Sequence, residues 1–444
     1  MTASEIGGTR LSDVEHRAQL HRALVASTVG TTIEWYDFLL YGQVSALVFG
    51  PLFFPQSTPL VGVLQAFGIF FIGFVGRPIG AAIFGHWGDR IGRKATLIAT
   101  LLVSGIATVA VGLVPTYASI GIWGPVLLTV IRLIQGIGVG GEWGGSVLLA
   151  MEWARTTKHR GFISSWPQFG APAGFFLANL AVLVFSWLSG DQFLVWGWRI
   201  PFLISIVMVG VGLWIRLGIL ETPVFQKVVA EDRIERVPVL EVLKRQPKQV
   251  LLTALLRLPE QAPGYIFGAF VFTYGTTVLG ASRNFLLIGV LVSAVVAFLW
   301  VTVAGHLSDR IGRKRMYMIG CVFVAVFGFV YFAMLDTKLP ALIFIAVAVS
   351  GLPIMTMYGP EAALIAESFS PRLRYSGSSL GYQLASIIAG GPAPIIATAL
   401  FAAYHNAYAI SAYIAVLAVI SFIATTMMPD YTGKDISDDA YSED

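Results

Sequence analysis

The sequence predicts an all-α integral membrane protein with twelve spanning helices in two sets of six. Three observations predict it. Hydrophobic residues make up 56% of the 444 residues and charged residues 12%, with a mean hydropathy of +0.76. A soluble domain of this size could not hide that much apolar surface, whereas a bilayer accepts it. The apolar residues form continuous runs, each close to the roughly 20 residues that a helix needs to cross the hydrocarbon, instead of alternating as barrel strands do. Finally, Gly85-His86-Trp87-Gly88-Asp89-Arg90-Ile91-Gly92-Arg93-Lys94 recurs, eight of ten residues identical, as Gly305-His306-Leu307-Ser308-Asp309-Arg310-Ile311-Gly312-Arg313-Lys314. A repeat on that scale marks two related halves.

The runs fall at about 24–48, 61–85, 95–115, 122–145, 161–188 and 200–218, then 250–278, 285–304, 316–335, 340–362, 376–403 and 408–428. This divides the chain into a polar tail (1–23), a six-helix bundle (24–218), a linker (219–249), a second six-helix bundle (250–428) and an acidic tail (429–444). Pro223, Pro238 and Pro247 stand among mixed charges in the linker, where some amphipathic helix is expected. With the N-terminus inside, 23 of the 29 Lys and Arg fall on inner segments. The positive-inside bias therefore puts both termini and the linker in the cytoplasm of a multi-pass cell (inner) membrane protein. That bias also accounts for the net charge of +4, which gives no support to nucleic-acid binding. The tail with Glu5, Asp13 and Glu15 is no cleavable signal. The acidic C-terminal tail reads as disordered.

Cys321 is the sole cysteine, which rules out an intrachain disulfide and argues against a Cys-based metal site. Enzyme chemistry finds no support: there is no Ser-His-Asp set, zinc-ligand spacing or nucleotide loop. Gly136 to Gly145 is glycine-rich but lies inside an apolar run without a P-loop lysine. No cofactor or metal is expected.

Several segments together resemble a known family. The duplicated Gly-x-x-x-Asp-Arg-x-Gly-Arg-Lys loop is similar to the signature of the major facilitator superfamily. Within it, Glu34-Trp35-Tyr36-Asp37-Phe38, Arg77-Pro78-Ile79-Gly80, and Arg132-Leu133-Ile134-Gln135-Gly136 through Gly140-Gly141-Glu142-Trp143-Gly144-Gly145 resemble the metabolite:H⁺ symporters. Tyr358-Gly359-Pro360-Glu361, Arg374-Tyr375-Ser376-Gly377 and Gly381-Tyr382-Gln383-Leu384 look closest to the branch that includes shikimate transporters. The resemblance implies two bundles rocking about one central site, moving organic acids or zwitterions inward with protons.

The duplicated loops read as an inner gate. Asp89 and Asp309 sit where helix ends converge, and acidic side chains are favoured near helix N-termini. Arg93 and Arg313 are placed to pair with Glu152 and Glu367, which recur in matching context before Arg160-Gly161 and Arg374. With Arg90 and Arg310, and with Glu142 and Glu361 near inner helix ends, these form a candidate cytoplasmic latch. The plainer alternative is that the basic residues only hold the loops inside. His86 and His306 belong to the same loops and read as structural.

Glu34 and Asp37 share a face of the first helix near mid-bilayer. A carboxylate there costs several kcal/mol unless protonated or paired. Both are proton-coupling candidates; the alternative is an ion pair that merely docks the helix. Arg77, before Pro78, must be satisfied by an anion, and its planar fork suits a substrate carboxylate or one of these acids. Arg132 takes a proton-coupling role from the resemblance, with a structural partnership to the first helix as alternative. Arg257 and Glu260 lie between helix-breaking prolines, where transporters bind ligand, yet as an i, i+3 pair they could neutralise each other. Tyr36, Tyr41, Gln168, Tyr265, Tyr274, Tyr382 and Gln383 offer cavity walls and hydrogen bonds. Of these, all but Tyr274 join Arg77 and Arg257 as the substrate-binding candidates. Trp187, Trp196 and Trp198 fit an interfacial belt.

The expected function is proton-coupled uptake of a small organic anion or zwitterion by a monomer in the lipid bilayer. A proton-independent facilitator or exporter on the same fold is the alternative. A non-transporting sensor or scaffold would need a sizeable extra domain, for which the tails are too short.

Overall fold

Within a bilayer the backbone finds no water to bond, and the chain meets that constraint with helices that satisfy their own amides. The computed structural model describes residues 5–6, 9–10, 12–153, 159–222, 226, 238–370 and 373–434. The first half holds α1 (Asp13–Val44), α2 (Pro59–Ile91), α3 (Arg93–Leu113), α4 (Trp123–Glu152), α5 (Arg160–Ser189) and α6 (Ile200–Leu217). A short linker helix (Pro238–Arg245) leads into the second half. There α7 starts as Pro247–Leu256, resumes as Leu258–Tyr265, loosens into a π turn over Ile266–Phe270 and ends as Val271–Thr277. It is followed by α8 (Arg283–Ile311), α9 (Arg313–Asp336), α10 (Pro340–Val349 and Gly351–Ala366), α11 (Arg374–Ala385, π turn Ser386–Gly390, Ala393–Tyr404) and α12 (Tyr408–Met427).

Among the described residues, ten helices are long and apolar enough to cross a membrane: α2–α6 and α8–α12. The other two expected spans fall short for visible reasons. Ser27, Thr28, Thr31, Thr32, Glu34 and Asp37 dilute α1. Pro259 and Pro263 interrupt α7, since proline removes a backbone donor. α1 also begins eleven residues earlier than its apolar run, at Asp13. Ser12 and Glu15 form a capping box: the Ser12 hydroxyl accepts from the Glu15 amide at 3.3 Å and the Glu15 carboxylate from the Ser12 amide at 2.9 Å.

Close packing inside the first half rests on small residues, as membrane helices require. A Cβ on Gly80 would strike the Ile137 carbonyl, one on Gly136 the Gly73 carbonyl, and one on Gly140 the Arg77 carbonyl. α2 and α4 thus touch backbone to backbone. The halves meet where α2 packs on α11 and where α5 packs on α8 and α10. Of the expected belt tryptophans, Trp187 is 77% exposed, but Trp198 is buried against Phe49, Phe53 and Phe202. The acidic tail is fixed at its start: Arg160 donates to the carbonyls of Tyr431 and Lys434 at 3.2 and 2.7 Å. The remainder of that tail, and residues 223–225 and 227–237 of the linker, lie outside the described residues.

Candidate functional site

The duplicated loops lie at one end of the bundle, and their Asp residues bridge the halves. Gly92 and Gly312 adopt φ of 106° and 97°, which only glycine takes without strain, and so let α2 turn into α3 and α8 into α9. Asp89 accepts from the Ser376 amide at 3.1 Å and its hydroxyl at 2.7 Å, in the first turn of α11 in the other half. Asp309 accepts from the amides of Gly161 and Phe162, both at 2.9 Å, in the first turn of α5. Each carboxylate therefore satisfies orphan amides at a helix N-terminus, where the dipole favours negative charge. The repeated glycines permit the approach. A Cβ on Gly85 would lie 3.2 Å from the Ser376 Cα, and one on Gly305 2.6 Å from the Ser165 Cβ.

Arg93 lies 3.2 Å from Glu152 and 3.5 Å from Asp89; Arg313 lies 3.3 Å from both Glu367 and Asp309. These anticipated pairs form within each half and hold the bridging Asp in place; they do not themselves cross. Arg160 and Glu367 form an ion pair that does cross, at 2.9 Å. Arg90 bonds its neighbour His86 at 3.3 Å and, like Arg310, is exposed. Glu142 is not at this seam. It pairs with Arg216 and accepts from Thr100 at 2.8 Å and Ser146 at 3.0 Å, all inside the first half. Glu361 pairs with Arg257 at 2.8 Å within the second half. The sequence places both near inner helix ends as gate contacts; Glu142 does meet Arg216 in the last turn of α6, but each ion pair stays within one half.

Deeper in the bundle, Asp37 is fully buried. Its Oδ1 accepts from Ser205 at 2.7 Å, while Oδ2 has no hydrogen bond. Gln135 donates to the Asp37 carbonyl at 3.3 Å and to the Thr108 hydroxyl at 2.7 Å, and accepts from Arg132. Asp37 and Arg132 are thus joined through Gln135 without touching. Glu34 is also buried, with Oε2 unbonded. The guanidinium carbons of Arg77 and Arg132 each lie 3.8 Å from the centroid of Phe38. Phe74 flanks Arg77 at 4.8 Å, and Tyr41 and Phe70 flank Arg132 at 4.2 and 4.9 Å. Among the described residues neither arginine has a carboxylate partner, which leaves two buried cations held by aromatic faces.

A cavity of about 100 Å³ opens between the halves, walled by Trp35, Phe175, Glu260, Tyr265, Ser293 and Tyr358 among others. Arg77 stands behind Trp35, 5.8 Å from its ring. Of the expected substrate contacts, Tyr265 alone lines this cavity, its hydroxyl unbonded. Tyr36 is turned away, donating to the Pro201 carbonyl at 2.6 Å. Tyr41 lies beneath Arg132. Gln168 links the halves, accepting from Trp143 at 2.8 Å and donating to the Tyr358 carbonyl at 3.1 Å. Tyr382 stacks on Trp143 at 3.7 Å and shares a 3.0 Å hydrogen bond with Tyr358. Gln383 reaches the Gly140 carbonyl at 3.4 Å. These three form the polar seam between cavity and latch. Arg257 is enclosed by Glu260, Glu361 and the Tyr382 carbonyl. Trp35, Ser293 and Tyr358 are lining residues that sequence reading did not select. Only Trp35 and Tyr358 carried a signal, standing beside the motif acids Glu34 and Glu361.

The sequence pattern of the Major Facilitator Superfamily matches residues 49–394 and 301–438. The chain is 42% identical to the inner membrane metabolite transport protein YhjE of Escherichia coli (strain K12), over 91% of this chain and 93% of that one. It is 40% identical to the shikimate transporter of the same organism over 93% and 95%, and 32% identical to the glycine betaine/proline/ectoine/pipecolic acid transporter OusA of Dickeya dadantii over 94% and 84%. Its fold matches the proton:xylose symporter XylE bound to 6-bromo-6-deoxy-D-glucose, with a TM-score of 0.77 at 19% identity, covering 97% of this chain and 100% of the other. These relatives are transporters, not enzymes. The chain belongs to the major facilitator superfamily, as a multi-pass inner-membrane metabolite transporter similar to the shikimate transporter.

Proposed function

We propose that this protein is a proton-coupled symporter that takes up a small organic acid or zwitterion by alternating access. The observation that carries the reading is that the first half buries an acid without an ion-pair partner, Asp37, and two arginines without one among the described residues, Arg77 and Arg132, the latter linked to Asp37 through Gln135. Asp37 without a cation is stable in that setting as the protonated acid, and so can carry a proton. Arg77 and Arg132 without an anion call for one, and a substrate carboxylate arriving through the cavity supplies it. Glu34, within electrostatic reach of Arg77 and of Asp37, tunes the field at Asp37. All twelve helical stretches, α1 and the broken α7 included, cross the membrane, with both termini on the cytoplasmic side. The Asp89 and Asp309 caps then close the cytoplasmic face and release when it opens. Relatives named for shikimate and for betaines support the substrate class.

The charge balance favours symport. Moving a monoanion into a negative interior costs about 2.3 kcal/mol per 100 mV, and one accompanying proton cancels it. A thermal-shift screen of the purified protein against organic acids, betaines and aromatic carboxylates, with Arg77→Ala as control, identifies the substrate. In vesicles with an imposed pH gradient the wild type should accumulate it, and Asp37→Asn should equilibrate it without accumulation. Uptake indifferent to a protonophore in the wild type would sink the reading and leave a facilitator.

A further inference from the structure

Arg257 stands between two glutamates. Its Nη2 meets Glu260 at 2.5 Å and its Nε meets Glu361 at 2.8 Å, while Nη1 donates to the Tyr382 carbonyl. The three side chains are at most 5% exposed. One guanidinium thus faces two carboxylates in a dry interior, leaving one negative charge in excess. The other groups around the cluster offset it only in part. Tyr317 of α9, Tyr358 of α10 and Tyr382 of α11 are neutral as phenols, and Arg77 of α2 acts on Glu260 without forming an ion pair. Glu361 Oε2 is buried without a hydrogen bond, whereas Glu260 lines the cavity. Two buried carboxylates that depend on one guanidinium do not both ionise, and one proton stays with the pair.

We propose that Arg257, Glu260 and Glu361 form a second proton-carrying site, in the second half, which holds one proton between its two carboxylates and exchanges it with the substrate cavity through Glu260. Its use in transport rests on the symport reading; the presence of the proton does not. With Asp37 in the first half, the protein then carries a proton on each side of the cavity.

The test is infrared spectroscopy of the full-length protein in lipid vesicles, without substrate, titrated from acid to alkaline pH. The wild type should show a protonated-carboxyl band that fades reversibly as pH rises. Glu260→Gln and Glu361→Gln, each keeping the oxygen that Arg257 bonds, should each remove one carboxyl equivalent from it. Asp37→Asn should leave that component in place. If both glutamine variants retain the full band, or if the triad's component ignores pH, the proposal is overturned. Either failure leaves Asp37 as a carrier, whereas loss of proton-driven uptake with the band intact would strike the symport reading alone.

Discussion

Arg77 shows how much depends on where a single side chain ends. Its guanidinium is buried, flanked by Phe38 and Phe74 and, among the described residues, without an ion-pair partner, beside the cavity-wall residue Trp35. Losing a charge-assisted bond to substrate costs on the order of 1.5–3 kcal/mol. Arg77→Ala is therefore expected to weaken substrate binding about ten- to a hundredfold, read by titration calorimetry, with Arg77→Lys recovering only part because it lacks the planar fork. An Arg77→Ala protein that binds as well as wild type would remove the carboxylate from this site. The existence of an anion-hungry arginine was legible from its place in an apolar run. That it rests on rings and forms no ion pair with Glu34 or Asp37 was not, because rotamers and helix rotation decide which face of α1 it meets. The same cause separates Glu142 and Glu361 from the latch: their positions along the helix were readable, their partners Arg216 and Arg257 were not.

Helix ends carry the proposed latch, and helix faces carry the packing. Asp89 and Asp309 cap α11 and α5 across the halves, and a cap of this kind contributes about 0.5–2 kcal/mol. Asp309→Asn should shift the protein toward the open inner face. Ser165→Cys, fully buried beside Gly305 at that seam, should then react faster with a maleimide, while Cys321, 1% exposed, stays silent. Unchanged labelling would confine Asp309 to topology. On the faces, Gly80→Val would drive a side chain into the Ile137 carbonyl, and the α2–α4 contact cannot yield because it is backbone on backbone. A fall in the melting temperature is expected, of the size that overpacking by about 1–3 kcal/mol brings, measured in detergent by thermal unfolding. Repetition of the loop made the existence of paired devices readable. Which residues cross was not, since the Arg–Glu pairs that sequence spacing suggested lie within each half.

At the scale of the whole molecule the proposed inner gate is expected to respond to protons. Burial, outweighing Arg313, Arg160 and Arg374, pushes Glu367 up to about 7 from its ordinary 4.5. Opening that face would return the group to water and to its ordinary value. Between those limits the closed form binds more protons, so its advantage is full below 4.5 and is lost as pH rises through about 7. Labelling of Ser165→Cys, divided at each pH by the rate for a free small-molecule thiol, should therefore slow as pH falls across that window, and Glu367→Gln should abolish the dependence; a dependence that survives the substitution would assign it elsewhere. The sequence by itself determined the environment, the helical class, the two halves and the duplicated loop, because these follow from composition and from order along the chain. Only the tertiary structure decided which end of each loop bridges the halves, that Arg257 serves two glutamates, and that Trp35 and Tyr358 wall the cavity. Those are contacts between residues far apart in the chain, set by how helices rotate and approach, and no local pattern encodes them.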